Sequence, residues 1–317
     1  MSKLSPSQLV TIIGGSGFVG RQVVRELART GARVRVAVRH PNEAMFLRTM
    51  GGIGQIQIVQ ANIRNEASLA NAIDGADMVV NLVGTLTGKG KQTFNALHDA
   101  GAETVARLCA EMGIGRLVHM SALGADIRST SAYGRSKAAG EAAVTEACPD
   151  ATILRPSVIF GPEDGFFCRF GSLVKSFLVV PVMGGGQTRF QPVYVDDVAD
   201  AIVAVLQDNS TAGKVFELGG PRVWTLREVL DYVVDVTHRT RLLVPMPLGL
   251  AKFASIFLQM PPLRLIYPDE VNMLRQDNVV SEEAAGLANL GITPTPAESI
   301  APKFLRRYRR AGAYERD

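Results

Sequence analysis

Near the start the chain reads Leu9-Val10-Thr11-Ile12-Ile13-Gly14-Gly15-Ser16-Gly17-Phe18-Val19-Gly20, a segment that carries the argument for its architecture. Its first five residues are apolar or β-branched and predict a buried strand. The residues that follow place Val19, Val23 and Leu27 on one helical stripe that stops at Gly31. Glycines 14, 17 and 20 join strand to helix with the spacing G-x-x-G-x-x-G. Gly14 permits the tight turn, Gly17 lets a pyrophosphate approach the backbone, and Gly20 lets helix and strand pack closely. The helix N-terminus, with Ser16, Phe18 and Val19 around it, offers an anion unpaired N–H groups and the positive end of a dipole. A glycine pattern alone is weak evidence. Between a strand and a helix it has the context it needs.

Outward from this unit the same rhythm repeats. Apolar, β-rich runs at 34–38, 56–59, 78–83 and 117–120 alternate with helical patterns at 66–73, 94–112 and 133–147. Strand, helix, strand in succession means parallel strands with helical crossovers. The expected class is α/β, a doubly wound parallel sheet of Rossmann type. Past Ala151-Thr152-Ile153-Leu154 glycine and proline become frequent, as in Gly161-Pro162 and Gly219-Gly220-Pro221. Helices recur at 195–206 and 226–237, the second opened by a capping box from Thr225 to Glu228. The expected division is a dinucleotide-binding domain over 1–155, with a return segment near 190–218. A smaller, substrate-type domain over 156–317 is expected to close over the carboxyl edge of the sheet.

Composition narrows the class. The 317 residues are 47% hydrophobic, which excludes general disorder, and 34 Lys+Arg against 30 Asp+Glu is too balanced to argue for nucleic acid. Cys109, Cys148 and Cys168 have no spacing for a disulfide framework or an iron–sulfur cluster, so they read as reduced thiols. No import or secretion signal is read at the start, and no apolar run is long enough to span a bilayer; 242–267 comes nearest but is broken by Lys252, Arg264 and four prolines.

The end of the second strand selects the cofactor. It reads Val38-Arg39-His40-Pro41, without the carboxylate that would hold a ribose 2′-hydroxyl. Arg39 instead suits a 2′-phosphate, with His40 beside it, and the expectation is NADP(H) rather than a merely solvated arginine. Asn62 and Ile63, after the third strand, are expected to flank the adenine. Asn81-Leu82-Val83-Gly84, after the fourth, is expected to line the path to the nicotinamide ribose. Plain loop packing is the alternative for both.

Ser121 ends the fifth strand, and Tyr133-Gly134-Arg135-Ser136-Lys137 follows. Tyr and Lys four residues apart share a helix face. An ammonium beside the phenol is expected to lower its pKa, and Lys137 can also hold ribose hydroxyls. Ser121, Tyr133 and Lys137 together could relay a proton during hydride transfer.

With these residues the chain resembles the extended short-chain dehydrogenase/reductase family. The resemblance rests on Gly14, Gly17, Gly20, Ser121, Tyr133, Lys137 and Arg155-Pro156-Ser157-Val158-Ile159-Phe160-Gly161-Pro162. It implies that the last segment, with Pro156 and Val158, lies beside the nicotinamide. A narrower resemblance, carried by Tyr133 to Glu141, Pro156 to Asp164, Gln191-Pro192-Val193-Tyr194-Val195, Pro245-Met246-Pro247-Leu248 and 290–296, is to the NADPH-binding accessory subunits of respiratory complex I. That resemblance implies a tightly held, mainly structural nucleotide. It also implies other complex I subunits as partners, and a peripheral position on the cytoplasmic face of a bacterial inner membrane. The complete Ser/Tyr/Lys set keeps a second reading open, a free-standing NADP-dependent short-chain reductase or epimerase/dehydratase. A redox-sensing regulator is a third.

Two C-terminal segments suggest contact with lipid or a partner. Phe253, Ile256, Phe257 and Met260 fall on one helical stripe, which would suit a membrane interface, a partner or a core. Lys303-Phe304-Leu305-Arg306-Arg307-Tyr308-Arg309-Arg310 reads as a basic tail that could meet anionic lipid or an acidic neighbour, or simply be solvated.

Overall fold

The structure, a computed structural model, describes residues 4–88, 90–258 and 267–312. In chain order its first part runs β1 (Leu9–Ile13), α1 (Phe18–Thr30), β2 (Arg33–Val38), β3 (Ile56–Gln60), α2 (Glu66–Ile73), β4 (Met78–Asn81), α3 (Ala100–Glu111), β5 (Arg116–Met120), α4 (Ala132–Ala147) and β6 (Thr152–Pro156). The second part adds β7 (Ile159–Phe160), α5 (Phe167–Ser176), β8 (Val179–Met183), β9 (Arg189–Phe190), β10 (Val193–Tyr194), α6 (Val195–Gln207), β11 (Val215–Leu218), β12 (Trp224–Thr225), α7 (Leu226–Val236), β13 (Leu242–Met246), α8 (Leu248–Leu258), α9 (Pro268–Met273) and α10 (Ala297–Leu305).

The chain forms two compact units. The first comprises Met1–Pro156, Val195–Leu218 and Glu283–Thr293. Its sheet has seven strands in the order β11-β6-β5-β4-β1-β2-β3, every neighbour parallel. β1, fully buried along its length, is a central strand and accordingly reads as an unbroken apolar run. From β1 the chain winds outward to β2 and β3, then returns to β4 on the other side and winds away. The order therefore reverses between β1 and β4, which opens a crevice at their carboxyl ends. One core packs Val79, Leu117, Leu69, Ile73 and Val105. Arg25 of α1 meets Asp196 of α6 at 2.9 Å.

Local sequence sets the element ends. Gly31 takes φ +91° at the end of α1, the left-handed conformation that favours glycine. Asn65 caps α2 and Ser131 caps α4 through side-chain oxygens. The capping box of Thr225 and Glu228 is formed at α7. The helix read over 94–112 opens instead with a π-turn, Asn95–Asp99, before α3 begins.

The second unit comprises Ser157–Tyr194, Gly219–Glu282 and Pro294–Asp317. Among the described residues it holds three two-stranded sheets, β10-β7, β12-β9 and β13-β8, around an aromatic core that includes Phe160, Phe167, Trp224 and Phe304. Residues 303–310 correct the expectation of a tail. Phe304 and Leu305 are core residues, and buried Arg309 donates from Nε to Val236 O. Arg239 in turn holds Tyr308 O. Apolar side chains alternating with the basic ones drew the segment inward. Lys303, Arg306, Arg307 and Arg310 remain exposed. Of the predicted α8 stripe, Phe253 is exposed, and Met260 lies outside the described residues. Among the described residues no helix is long and apolar enough to cross a membrane.

Candidate dinucleotide site

The crevice between β1 and β4 begins at the glycine loop. Gly14 turns at φ +85° and donates its N–H to Ala37 O of β2, while Leu82 N–H donates to Ile13 O. A Cβ at Gly20 would stand 2.6 Å from Gly15 Cα, so only glycine lets α1 seat against the loop. Gly17 is the N-cap of α1, which has no side-chain cap and no acidic residue in its first turn. N–H groups without a side-chain cap, at a helix dipole's positive end, fit a pyrophosphate. Ser16, Phe18 and Val19 are half-buried around them.

From there the residues run continuously to α4. A Cβ at Gly14 would lie 3.2 Å from Val83 Cγ2, and one at Gly84 would lie 3.6 Å from both Lys137 Nζ and His98 Nε2. Lys137 is buried and donates to Met120 O at 3.0 Å. Next to that carbonyl in sequence, Ser121 Oγ is buried with no hydrogen-bond partner. A buried hydroxyl without a protein partner, in a crevice that also presents helix N–H groups, fits a polar ligand. Lys137 Nζ stands 6.0 Å from the centroid of half-buried Tyr133.

The other predicted contacts are placed as follows. Arg39 and His40 are exposed at the end of β2, with no acidic side chain between 38 and 41. Asn62 donates its N–H to Ser68 Oγ and accepts from Arg64 N–H. Ile63 is buried in the core against Gly101, so of that pair only Asn62 presents a side chain outside the core. Asn81 is buried in β4, where its Oδ1 accepts Val83 N–H. Pro156 ends β6 in the first unit. Val158 belongs to the second unit, where Asn278 Oδ1 accepts its N–H.

The electrostatics depart from one expectation. Burial pushes Tyr133 up to about 12, and Lys137 does not bring it down. Burial also lowers Lys137 to about 8, against the pull of Glu141. Desolvation outweighs the pair's mutual help because the ammonium is bound to a carbonyl, not to the phenol. Two imidazoles lie in the same environment. His98 and His119 are each lowered to about 3, first by burial and then by Lys137. Neither was singled out by the sequence, because no motif marks them.

A family model described as the NAD dependent epimerase/dehydratase family matches residues 10–219. NADH dehydrogenase (ubiquinone) 1 alpha subcomplex subunit 9, mitochondrial, of Arabidopsis thaliana is 35% identical over 316 residues, covering 96% of this chain and 79% of that protein. Its Mus musculus namesake is 34% identical over 304 residues, covering 95% and 80%. Among solved structures, an NADPH-dependent quinone oxidoreductase from Escherichia coli, complexed with NADPH, superposes with a TM-score of 0.74 at 20% identity, covering 93% of this chain and 99% of that one. That likeness is one of fold.

Proposed function

The chain belongs to the NAD dependent epimerase/dehydratase family, a nicotinamide-dinucleotide family, and from that premise we propose that it is an NADP(H)-binding accessory subunit of the proton-pumping NADH:quinone oxidoreductase, complex I. The observation that carries this reading is the near full-length similarity to the alpha subcomplex subunits. The loop of Gly14, Ser16, Gly17, Phe18, Val19 and Gly20 would take the pyrophosphate, Asn62 the adenine side, and Val83, Gly84 and Lys137 the nicotinamide ribose. Arg39 and His40 favour a 2′-phosphate, so NADP(H) over NAD(H). Replacing Arg39→Ala should weaken NADPH binding and leave NADH binding unchanged.

When bound, the dinucleotide supplies a hydride donor or acceptor. In this reading that chemistry is idle, and the nucleotide stabilises the fold because it binds only the folded state. One observation favours idleness: Lys137 is tied to Met120 O.

The second unit supplies the partner-facing surface. In the β8-β13 register Val179 pairs with Leu242 and Pro181 with Val244, four apolar residues on one exposed face beside exposed Leu178. Leu250 and Phe253 of α8 are exposed as well. Residues 165–190 and 236–258 carry Arg169, Lys175, Arg189, Arg239, Arg241 and Lys252 and no Asp or Glu. Arg169 and Arg189 are paired with Glu270 and Asp277, so the surface is apolar with basic and paired charged neighbours, and it suits other complex I subunits and the peripheral lipid surface on the cytoplasmic side of the membrane.

The test is purification of the native protein from membranes in mild detergent. Co-migration with quinone oxidoreductase subunits, and bound NADP(H) that quinone does not oxidise, is the expected result. Recovery as an unpartnered protein, or rapid oxidation of the bound nucleotide by quinone, overturns the reading. Ser121 favours a second one, since its buried, unpartnered Oγ stands where a carbonyl or hydroxyl substrate could bind. A free-standing reductase or epimerase would lose turnover in Tyr133→Phe, whereas an accessory subunit would keep its nucleotide and its assembly.

A further inference from the structure

His98 is an imidazole only 1% exposed, placed where an apolar side chain would pack at lower cost. Its Nε2 accepts the Thr85 N–H at 2.9 Å. A neutral imidazole has one donor and one acceptor, so its Nδ1 carries the proton and donates to Ser136 Oγ at 2.9 Å. Ser136 Oγ–H donates onward to Tyr133 O at 2.7 Å. The ring stacks on Phe94 at 5.6 Å and meets the edge of Tyr133 at 5.5 Å. The backbone is docked as firmly as the side chain. His98 sits in the π-turn Asn95–Asp99, and a Cβ at Gly140 of α4 would lie 1.8 Å from its carbonyl oxygen. π-turns of this kind recur at functional sites.

These contacts join two parts of the crevice that are distant in sequence. Thr85 is 13 residues from His98, and Ser136 is 38 away. The loop after β4 has no regular structure of its own over 82–88. Its distance from α4 therefore depends on the bonds it makes. Gly84, at 3.6 Å from both His98 Nε2 and Lys137 Nζ by its Cβ direction, is the point where that distance matters.

We infer that His98 is a positioning residue, a strap that holds the loop after β4 against the Tyr133/Lys137 helix and so shapes the nicotinamide half of the dinucleotide site. The inference rests on the reading of this crevice as a dinucleotide site. The partners of His98, Thr85 and Ser136, belong to the side of Gly84 and Lys137, while Arg39, read toward the adenosine half, stands at the end of β2; the strapped loop meets the glycine loop through Val83, which faces Gly14.

The test separates the two halves. Affinities for NADPH and for 2′,5′-ADP, which carries only the adenosine half, are measured on the full chain. His98→Phe keeps an aromatic ring and loses both hydrogen bonds. It should weaken NADPH about tenfold while leaving 2′,5′-ADP unchanged, the scale of one well-made hydrogen bond. His98→Gln restores an acceptor for Thr85 N–H and a donor for Ser136, and should return NADPH affinity to within about threefold of the parent. A His98→Phe variant whose ratio of the two affinities matches the parent overturns the inference and leaves the dinucleotide reading standing. A parent protein that binds neither ligand overturns both. Should His98→Phe fail to fold, nitrogen-15 NMR of the parent decides. The Nδ1–H tautomer is expected, and an Nε2–H tautomer overturns the strap.

Discussion

Ser121 and Gly140 show how much a single residue carries in this site. Ser121 Oγ is buried without a partner, so the protein without ligand bears the desolvation cost of that hydroxyl. Ser121→Ala should therefore raise the stability of the nucleotide-free protein by about 1 kcal/mol, measured by urea unfolding. A loss of stability would show that the hydroxyl is satisfied after all. Gly140 is the opposite case, a residue without a side chain whose absence is essential. Because a Cβ there would overlap the His98 carbonyl, α4 or the π-turn must move to admit one. Gly140→Ala should cost about 3 kcal/mol or more, beyond the usual range for overpacking because the obstacle is backbone. A melting temperature equal to the parent's would mean that the two helices part easily. Tyr133 adds a caution at the same scale. Four-residue spacing to a lysine does place both on one helix face, yet burial and not the neighbouring charge sets its pKa.

At the scale of elements, the alternation of strands and helices was legible because each buried parallel strand is an unbroken apolar run and each helix carries its own cap. α2, read over 66–73, spans Glu66–Ile73, and α7 opens on the capping box its sequence spells out. The glycine loop and the ends of β2, β4 and β5 were legible for the same reason, since strand ends fix which residues reach the crevice. What escaped was whatever depends on packing between distant elements. The π-turn has no composition signal, and His98 acquires meaning only when Thr85 and Ser136 arrive beside it. The piece Glu283–Thr293, which joins the first unit through Glu217 N–H donating to Ala285 O, is likewise a long-range event. Two of the missed residues give the elements a pH dependence. His98 and His119 fall from an ordinary 6.5 to about 3 on folding. Between those values the unfolded chain binds more protons than the folded one, so stability falls as pH drops below 6.5 and is complete above it. Each histidine contributes a slope of up to about 1.4 kcal/mol per pH unit. Asp200, raised to about 6 by burial and by Glu26, Asp197 and Asp196, works with the opposite sign below pH 6. The comparison with His119→Leu isolates the histidine, and that variant should show a slope shallower by about one proton between pH 6.5 and 5. Equal slopes would mean that His119 is charged in the folded protein.

For the whole molecule, the two units divide binding from contact. The first unit contains the glycine loop, Arg39, Ser121, Tyr133 and Lys137, everything the nucleotide reading needs except Val158. The second contains the exposed face of Val179, Pro181, Leu242 and Val244, with Leu178 beside it at 75% exposure. An exposed two-stranded sheet normally alternates apolar-in with polar-out, and here both faces are apolar, the pattern of a surface meant to be covered. The inner face, Val180 and Val182 with Leu243, already packs the core, so the outer one is surplus to folding. Substituting Leu178→Glu together with Leu242→Glu puts two carboxylates on that outer face without touching the core. NADPH affinity should stay at the parent's value, because no residue of the proposed nucleotide loop is altered. Co-migration with quinone oxidoreductase subunits in native gels should be lost, because two unpaired carboxylates would have to be desolvated at the contact. If the double variant still assembles, the contact lies on another surface, with exposed Lys303, Arg306, Arg307 and Arg310 next in line. If NADPH affinity falls with assembly, the division of labour between the units is wrong.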